Sequence, residues 1–189
     1  MMNEEELKKH PRYVHSVGVM EMALKLNEYY HLNVDNNKIR EASLLHDITK
    51  NLSDEENLEI LEIYLPKMIT KELLAVPPIW HSFTGAIVAR IKYHINDEEV
   101  LKAIFYHTTG RENMTNLEKL IFLSDYIELG RVGEYFEKVR KIAFENLDKA
   151  IIYGLKIQME FLFEQDKPIA VNMLKAYNDI ILKMRKSEG

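Results

Sequence analysis

The stretch LLHDITK, residues 44–50, decides the fold that this chain is expected to adopt. Two apolar residues that lead into it, Ile39 and Ala42, are three positions apart, and His46 lies four residues after Ala42 on the same helical face. Asp47 follows directly, so two titratable side chains end an apolar helix. An unpaired, ionised aspartate buried there would cost on the order of several kcal/mol. The pattern indicates a helical protein in which buried polar groups need a partner, such as a divalent metal ion.

Helical periodicity continues through most of the chain, which contains only seven glycines and five prolines. Three residue pairs have the spacing of helix caps: Ser53 with Glu56, Asn96 with Glu99, and Thr115 with Glu118. Helices are predicted over about residues 12–31, 36–46, 80–94 and 96–107, from residues 53 and 115 onward, and in two or three further segments. No strand-like alternation of convincing length appears. We therefore predict an all-α protein with a single domain over residues 1–189, whose motifs occupy about 10–150 and whose closing helices occupy about 151–186.

Composition narrows the classes of function. The 189 residues are 47% hydrophobic, which supplies one sizeable core, and the formal net charge of −5 disfavours a protein that coats a nucleic-acid polymer. The absence of cysteine excludes disulfides, thiolate zinc sites and cysteine nucleophiles. The N-terminal segment MMNEEELKKH lacks the apolar stretch of a secretory signal, and no apolar run is long enough for a membrane span. We expect a cytoplasmic protein without a membrane partner.

Further titratable residues fall on faces that are otherwise apolar. His15 shares a face with Val19, His107 lies three residues after Ile104, and Asp125 lies four after Ile121. For a single histidine on such a face, the more common explanation is a hydrogen-bonded core residue. The ordered set of histidines and aspartates on an all-helical chain is far more specific than any one of them.

Four segments carry a resemblance to a known family: HPRYVHS (10–16), LLHDITK (44–50), HTTG (107–110) and SDYIELGR (124–131). The order of histidines and aspartates resembles the HD-domain metal-dependent phosphohydrolase superfamily, and the segments together resemble its YqeK family. Members of that family are symmetrical bis(5'-nucleosyl)-tetraphosphatases, which cut diadenosine tetraphosphate into two ADP. The last segment departs from the family pattern at Ser124 and Leu129, where alanine and proline are usual. The resemblance implies an HD-type helical bundle.

The resemblance also implies a dinuclear metal centre. One metal ion would be held by His15, His46, Asp47 and Asp125, and a second by His81 and His107 with Asp47 as the bridge. In this family the ions are usually iron, although the ligand types also permit manganese or zinc. Two such ions activate water for attack on a phosphoryl group, so that Asp47 and Asp125 become catalytic through the ions they hold.

Several neighbouring residues could contact the phosphates of a small dinucleotide or nucleotide. Lys50, also a candidate catalytic residue, lies one turn past His46, where the alternative is a solvated lysine at a helix end. Arg12 and Arg131 could each clamp a phosphate or form an ion pair with a carboxylate. Thr108 and Thr109 could donate to phosphate or belong to an ordinary turn. The expected substrate contacts are Arg12, His15, Asp47, Lys50, His107, Thr108, Thr109, Asp125 and Arg131.

Three alternatives to a symmetrical tetraphosphatase stay open at the level of sequence. The chain could be another HD phosphohydrolase, such as a nucleotidase or an enzyme that acts on cyclic or alarmone nucleotides. It could be a nucleotide-binding module without turnover, or a helical scaffold whose histidines lie in the core by chance. The sequence does not fix the oligomeric state, but helical domains with a leftover apolar stripe, such as the one between Ile169 and Met184, often self-associate, which makes a homodimer possible.

Overall fold

The computed structural model describes residues 4–187, so the first three and last two residues of the predicted domain lie outside the described part. Within residues 4–187 the chain is helical and contains no strand, which confirms the all-α prediction. The α-helices are α1 (Glu4–Leu7), α2 (Tyr13–Tyr29), α3 (Asn36–Leu45), α4 (Asp54–Tyr64), α5 (Lys71–Leu74), α6 (Trp80–Ile91), α7 (Glu98–Phe105), α8 (Asn116–Ile127), α9 (Glu134–Ala143), α10 (Leu147–Glu164) and α11 (Val171–Ser187). Two short 3₁₀-helices, Pro66–Met68 and Pro77–Ile79, separate α4 from α6 on either side of α5.

The helices pack around α8, whose apolar residues point into the main core on several sides. Helix α2 packs against α3 and α8, α7 packs against α6 and α8, and α10 packs against α9 and α11. Leu120, Ile121 and Leu123 of α8 are completely buried. A smaller apolar cluster of Leu61, Trp80 and Phe83 joins α4 to α6. This packing brings the ends of α3, α7 and α8 and the beginnings of α2 and α6 to one side of the bundle.

The helix boundaries follow the capping chemistry, with one correction. Both capping boxes, at Ser53 and at Thr115, are present with reciprocal hydrogen bonds. The expected cap at Asn96 is wrong, because the side chain of Asp97 accepts the backbone N–H groups of Glu99 and Val100 instead. Both residues are good cap formers, and only the backbone geometry selects the second.

The last helix uses most of its apolar stripe inside the protein. Met173, Ala176 and Ile180 of α11 are buried in the main core, whereas Leu174 and Leu182 are exposed. Val171 is exposed as well, so α11 keeps three large apolar side chains on the surface beside those that it buries. Within the described residues, no helix is both long and apolar enough to cross a membrane.

Two leucines provide a matched test of the packing around α8. Leu120→Ala should lower the free energy of unfolding by about 2–5 kcal/mol, because it leaves a cavity in the main core. Leu182→Ala, on the exposed face of α11, should change it by less than about 0.5 kcal/mol. Urea denaturation followed by circular dichroism measures both, and equal effects would contradict this description of the core.

Candidate metal centre

Six side chains from five parts of the fold meet on the side of the bundle where α3, α7 and α8 end and α2 and α6 begin. His15 lies in the first turn of α2, His46 caps the C-terminus of α3, and Asp47 follows in the adjoining turn. His81, His107 and Asp125 come from the start of α6, the turn after α7 and the end of α8. The structure therefore brings together all six residues that the sequence nominated as metal ligands: His15, His46, Asp47, His81, His107 and Asp125.

One half of the cluster surrounds Asp125. The Nε2 atom of His15 lies 3.0 Å from Asp125 Oδ1, and that of His46 lies 3.8 Å from the same oxygen. His46 Nε2 also lies 3.6 Å from Asp47 Oδ2. Ligand atoms of His15, His46 and Asp125 all lie within 4.8 Å of one another, which is a spacing that a single cation can span.

The other half of the cluster surrounds the second oxygen of Asp47. Asp47 Oδ1 lies 3.3 Å from His81 Nε2 and 3.6 Å from His107 Nε2, and these two ring nitrogens are 3.2 Å apart. Ligand atoms of His46, Asp47 and His107 form a second group within 4.8 Å. Asp47 thus has one oxygen toward each half of the cluster, as a bridging ligand requires.

Two of the imidazole rings are oriented by hydrogen bonds from Nδ1, the ring nitrogen that faces away from the cluster, to backbone carbonyl groups. His46 Nδ1 lies 2.7 Å from the carbonyl oxygen of Ser43, and His107 Nδ1 lies 2.7 Å from that of Ile104. Each Nδ1–H donates to its carbonyl, which leaves the Nε2 lone pair directed into the cluster. The two rings are held in this way by the last turns of their own helices, α3 and α7.

His15 is held instead by a carboxylate that the sequence did not assign to it. Its Nδ1 lies 3.2 Å from Glu128 Oε1, and the other carboxylate oxygen accepts the N–H of Gly130. Glu128 reaches this position across Gly18 of α2, where an added Cβ would approach Glu128 Oε2 to 2.6 Å. Glycine at position 18 therefore makes room for the group that orients His15.

The protonation states suit metal ligation. Burial would raise the pKa of Asp47, but the surrounding His46, His107 and His81 rings outweigh it and hold that pKa far below its usual range. The pKa of Asp125 is also lowered, because contacts with His15 and His46 outweigh burial. Burial lowers the pKa of His81 to about 4, so its ring is neutral near pH 7. Two carboxylates and a neutral imidazole are the forms that bind divalent cations.

Unsatisfied polar atoms give an independent test of whether a metal fits. Among the described residues, five buried side-chain polar atoms make no hydrogen bond: two are the hydroxyl oxygens of Ser43 and Ser124, and three are His15 Nε2, His46 Nε2 and Asp47 Oδ1. Buried polar atoms without partners are rare in folded proteins because they lose the hydration of the unfolded chain. All three point into the cluster, so a bound cation would satisfy them together.

A cavity of about 650 Å³ opens above the cluster. Its lining combines Asp47, His81, His107 and Asp125 with three basic residues, which are Arg12, Lys50 and Arg131. Both arginines form ion pairs with the aspartates: Arg12 Nη2 lies 2.8 Å from Asp47 Oδ2, and Arg131 Nη2 lies 2.9 Å from Asp125 Oδ1. Lys50 Nζ lies 3.3 Å from His81 Nδ1, and burial lowers its pKa. The mouth of the site is therefore basic, although the chain as a whole is acidic.

The two threonines after His107 differ in position. Thr108 lines the cavity, and its hydroxyl donates to Ser82 Oγ. Thr109 is buried, does not line the cavity, and donates its hydroxyl hydrogen to the carbonyl oxygen of Gly110. Its nomination as a substrate contact therefore has no support from the cavity lining. Residues that line the cavity but were not nominated are Asn51, Pro78, Phe122, Tyr126, Phe136 and Gln158.

The fold and the site together define a class: an all-α protein with a histidine–aspartate centre suited to divalent metal ions, beneath a cavity lined by basic residues. The chain belongs to the HD domain family, whose model matches residues 12–130. It is 36% identical over 178 residues to a Bacillus subtilis protein named symmetrical bis(5'-nucleosyl)-tetraphosphatase, covering 94% of this chain and 93% of that one. A Staphylococcus aureus protein of the same name is 39% identical over 173 residues, covering 88% of this chain and 87% of the relative.

A solved structure extends the similarity to the fold. The crystal structure of a Clostridium acetobutylicum protein, described as a predicted HD superfamily hydrolase involved in NAD metabolism, superposes with a TM-score of 0.90 at 34% sequence identity. The match covers 97% of this chain and 99% of the other. The closing helices α10 and α11, which carry none of the recognisable motifs, are therefore part of the shared fold.

The bridging position of Asp47 predicts the effect of its replacement. Asp47→Asn should weaken metal binding by more than about tenfold, because even the outer partners of metal ligands contribute that much. Asp54→Asn, in the exposed first turn of α4, is the matched control and should retain the wild-type metal content. Elemental analysis of purified proteins measures both, with circular dichroism to verify folding. Equal metal in the two folded variants would show that the cluster is not the metal site.

Proposed function

We propose that this protein hydrolyses dinucleoside tetraphosphates symmetrically, so that diadenosine tetraphosphate and water give two ADP. The observation that carries the proposal is the joint presence of a buried histidine–aspartate cluster and a basic cavity directly above it. The relatives that match nearly the whole chain are named for this reaction. The cavity of about 650 Å³ has room for a chain of phosphates.

The cofactor in this proposal is a pair of divalent metal ions, with iron as the expected metal and manganese or zinc as alternatives. His15, His46, Asp47 and Asp125 would hold one ion, and Asp47, His81 and His107 would hold the other. When bound, such ions supply Lewis-acid activation of water and of the attacked phosphoryl group. The contacts of Asp47 with His46 on one side and with His81 and His107 on the other support a pair. The two groups whose ligand atoms lie within 4.8 Å of one another share His46 rather than Asp47 and do not include His81.

The protein's own residues would bind and orient the tetraphosphate. Arg12 contacts Asp47 through Nε and Nη2, which leaves further N–H donors for phosphate oxygens. Arg131 similarly keeps donors beyond its contacts with Asp125. Lys50 faces the cavity beside His81 and would stabilise the charge that develops on the departing phosphate. Thr108 would donate its hydroxyl hydrogen to a phosphate oxygen of the tetraphosphate.

The proposal extends to the whole chain in two respects. We propose that residues 1–189 form one domain, since α10 and α11 contribute Ile151, Leu155 and Ile180 to the same core as α2 and α8. We also propose a cytoplasmic location, where dinucleotides of this kind would be encountered. The homodimer predicted from the α11 stripe stays a prediction, and sedimentation velocity measures it directly.

The reaction itself is tested by its products. The metal-loaded protein should convert diadenosine tetraphosphate into two ADP, and in ¹⁸O-labelled water one of the two should carry a single label. Chromatography with mass spectrometry measures both. Products of ATP and AMP would contradict symmetrical cleavage. Turnover of only nucleoside monophosphates, or of only cyclic or alarmone nucleotides, would assign the protein to another activity of the HD domain family.

The role of Lys50 is tested separately from metal binding. Lys50→Met should lower kcat/KM for diadenosine tetraphosphate by about 100-fold, which is typical for the loss of one preorganised charged donor. Lys141→Met, on the exposed face of α9, is the control and should match wild type. Both variants should keep the wild-type metal content, measured on the same samples. Full activity of the Lys50 variant would remove this residue from the mechanism.

A further inference from the structure

A second cavity adjoins the one above the metal cluster. It has a volume of about 360 Å³ and lies between α9 and α10. The two cavities share three lining residues, which are Tyr126, Phe136 and Gln158. Tyr126 directly follows Asp125, so the shared wall begins at the residue next to a proposed metal ligand. The second cavity therefore adjoins the catalytic one along these three side chains.

We call this second cavity the aromatic cavity, because aromatic residues make up half of its lining. The rings of Tyr126 and Phe136 pack with their centroids 5.4 Å apart at an angle of 58°. Tyr135 and Phe161 contribute two more rings, and these residues are 65% and 55% exposed. Lys167 Nζ lies over the ring of Phe161, 5.7 Å from its centroid. The accessible aromatic faces that remain in this concave surface can stack on a flat ligand.

The charge of the aromatic cavity is opposite to that of the catalytic one. Arg12, Lys50 and Arg131 line the catalytic cavity, whereas no lysine or arginine is among the described residues that line the aromatic cavity. Glu160 and Glu164 line it instead. These carboxylates disfavour a phosphate group and can accept hydrogen bonds from an exocyclic amino group. The lining therefore suits an uncharged heteroaromatic ring.

The chemistry of a symmetrical substrate requires such a position. When the central phosphoanhydride bond lies at the metal cluster, two equal arms extend from it, and each ends in a nucleoside. The three basic residues of the catalytic cavity account for contacts with the phosphates. We propose that the aromatic cavity binds the base of one nucleoside diphosphate arm, with Tyr135 and Phe161 as stacking residues. This inference rests on the proposed function and names a binding site for part of its substrate.

Equilibrium binding of ADP to the metal-loaded protein tests the proposal without turnover. Wild type should bind two ADP molecules, one for each arm of the dinucleotide. Tyr135→Ala and Phe161→Ala should each weaken one of the two sites by about 5-fold to 100-fold, the usual effect of losing one stacked base, and should leave the other unchanged. Because both side chains are largely exposed, neither substitution should affect folding. Isothermal titration calorimetry measures the number of sites and both affinities.

Phe163→Ala is the matched control. Phe163 lies two residues after Phe161 on α10 and is 66% exposed, but it does not line the aromatic cavity. This variant should retain two ADP sites and the wild-type kcat/KM for diadenosine tetraphosphate. The two cavity variants should show a raised KM for that substrate with a nearly unchanged kcat, since the stacked base lies away from the reacting phosphates.

The outcomes separate this inference from the proposed function. If two ADP are formed from diadenosine tetraphosphate but both cavity variants bind and react like wild type, the base site is wrong and the reaction stands. A single ADP site in the wild-type protein also overturns the proposed base site. The same holds if the two variants sediment differently from wild type but bind ADP with unchanged affinity. If the dinucleotide is not cleaved to two ADP, the proposed function fails regardless of these affinities.

Discussion

The carboxylate of Asp47 is the constraint on which the rest of the site depends. Its Oδ1 lies 3.3 Å from His81 Nε2, and its Oδ2 lies 2.8 Å from Arg12 Nη2. A buried carboxylate in this position is tolerable only when positive or hydrogen-bonding groups surround it. The surrounding groups come from α2, α3, α6 and α7, so these elements must be placed accurately with respect to one residue. A shift of Asp47 would disrupt both halves of the cluster at once.

A buried polar network keeps the turn that carries Asp47 against α6. Thr49 Oγ1 lies 2.9 Å from the carbonyl oxygen of His81 and 2.8 Å from Thr84 Oγ1, and Thr84 donates to Asn57 of α4. Gly85 permits this close approach, because a Cβ there would lie 3.2 Å from the carbonyl oxygen of His46. Metal ligands tolerate errors of only about 0.2 Å. The network therefore joins the turn after His46 to the first turn of α6, which carries His81.

The sequence was sufficient for features that depend on local spacing. Helical periodicity located most helices, the buried position of His46 and the partly buried position of Asp125, and the capping boxes located the starts of α4 and α8. It was insufficient where a partner is distant along the chain. The contact of Glu128 with His15 joins residues 113 positions apart, and Gln158 enters the cavity from a helix without motifs. Such pairings depend on how helices pack, which periodicity does not specify.

The ion pairs at the mouth explain how an acidic chain can present a basic site. The chain has a net charge of −5, yet Asp47 and Asp125 each hold an arginine at the edge of the cavity. The side chains of Arg12 and Arg131 remain 31% and 37% exposed in these contacts, so part of each guanidinium group still faces solvent. These ion pairs thus offset the burial of the aspartates and hold the arginines at the edge of the space above the centre. Recognition of a polyanion depends on this local arrangement, for which the total charge of the chain is a poor guide.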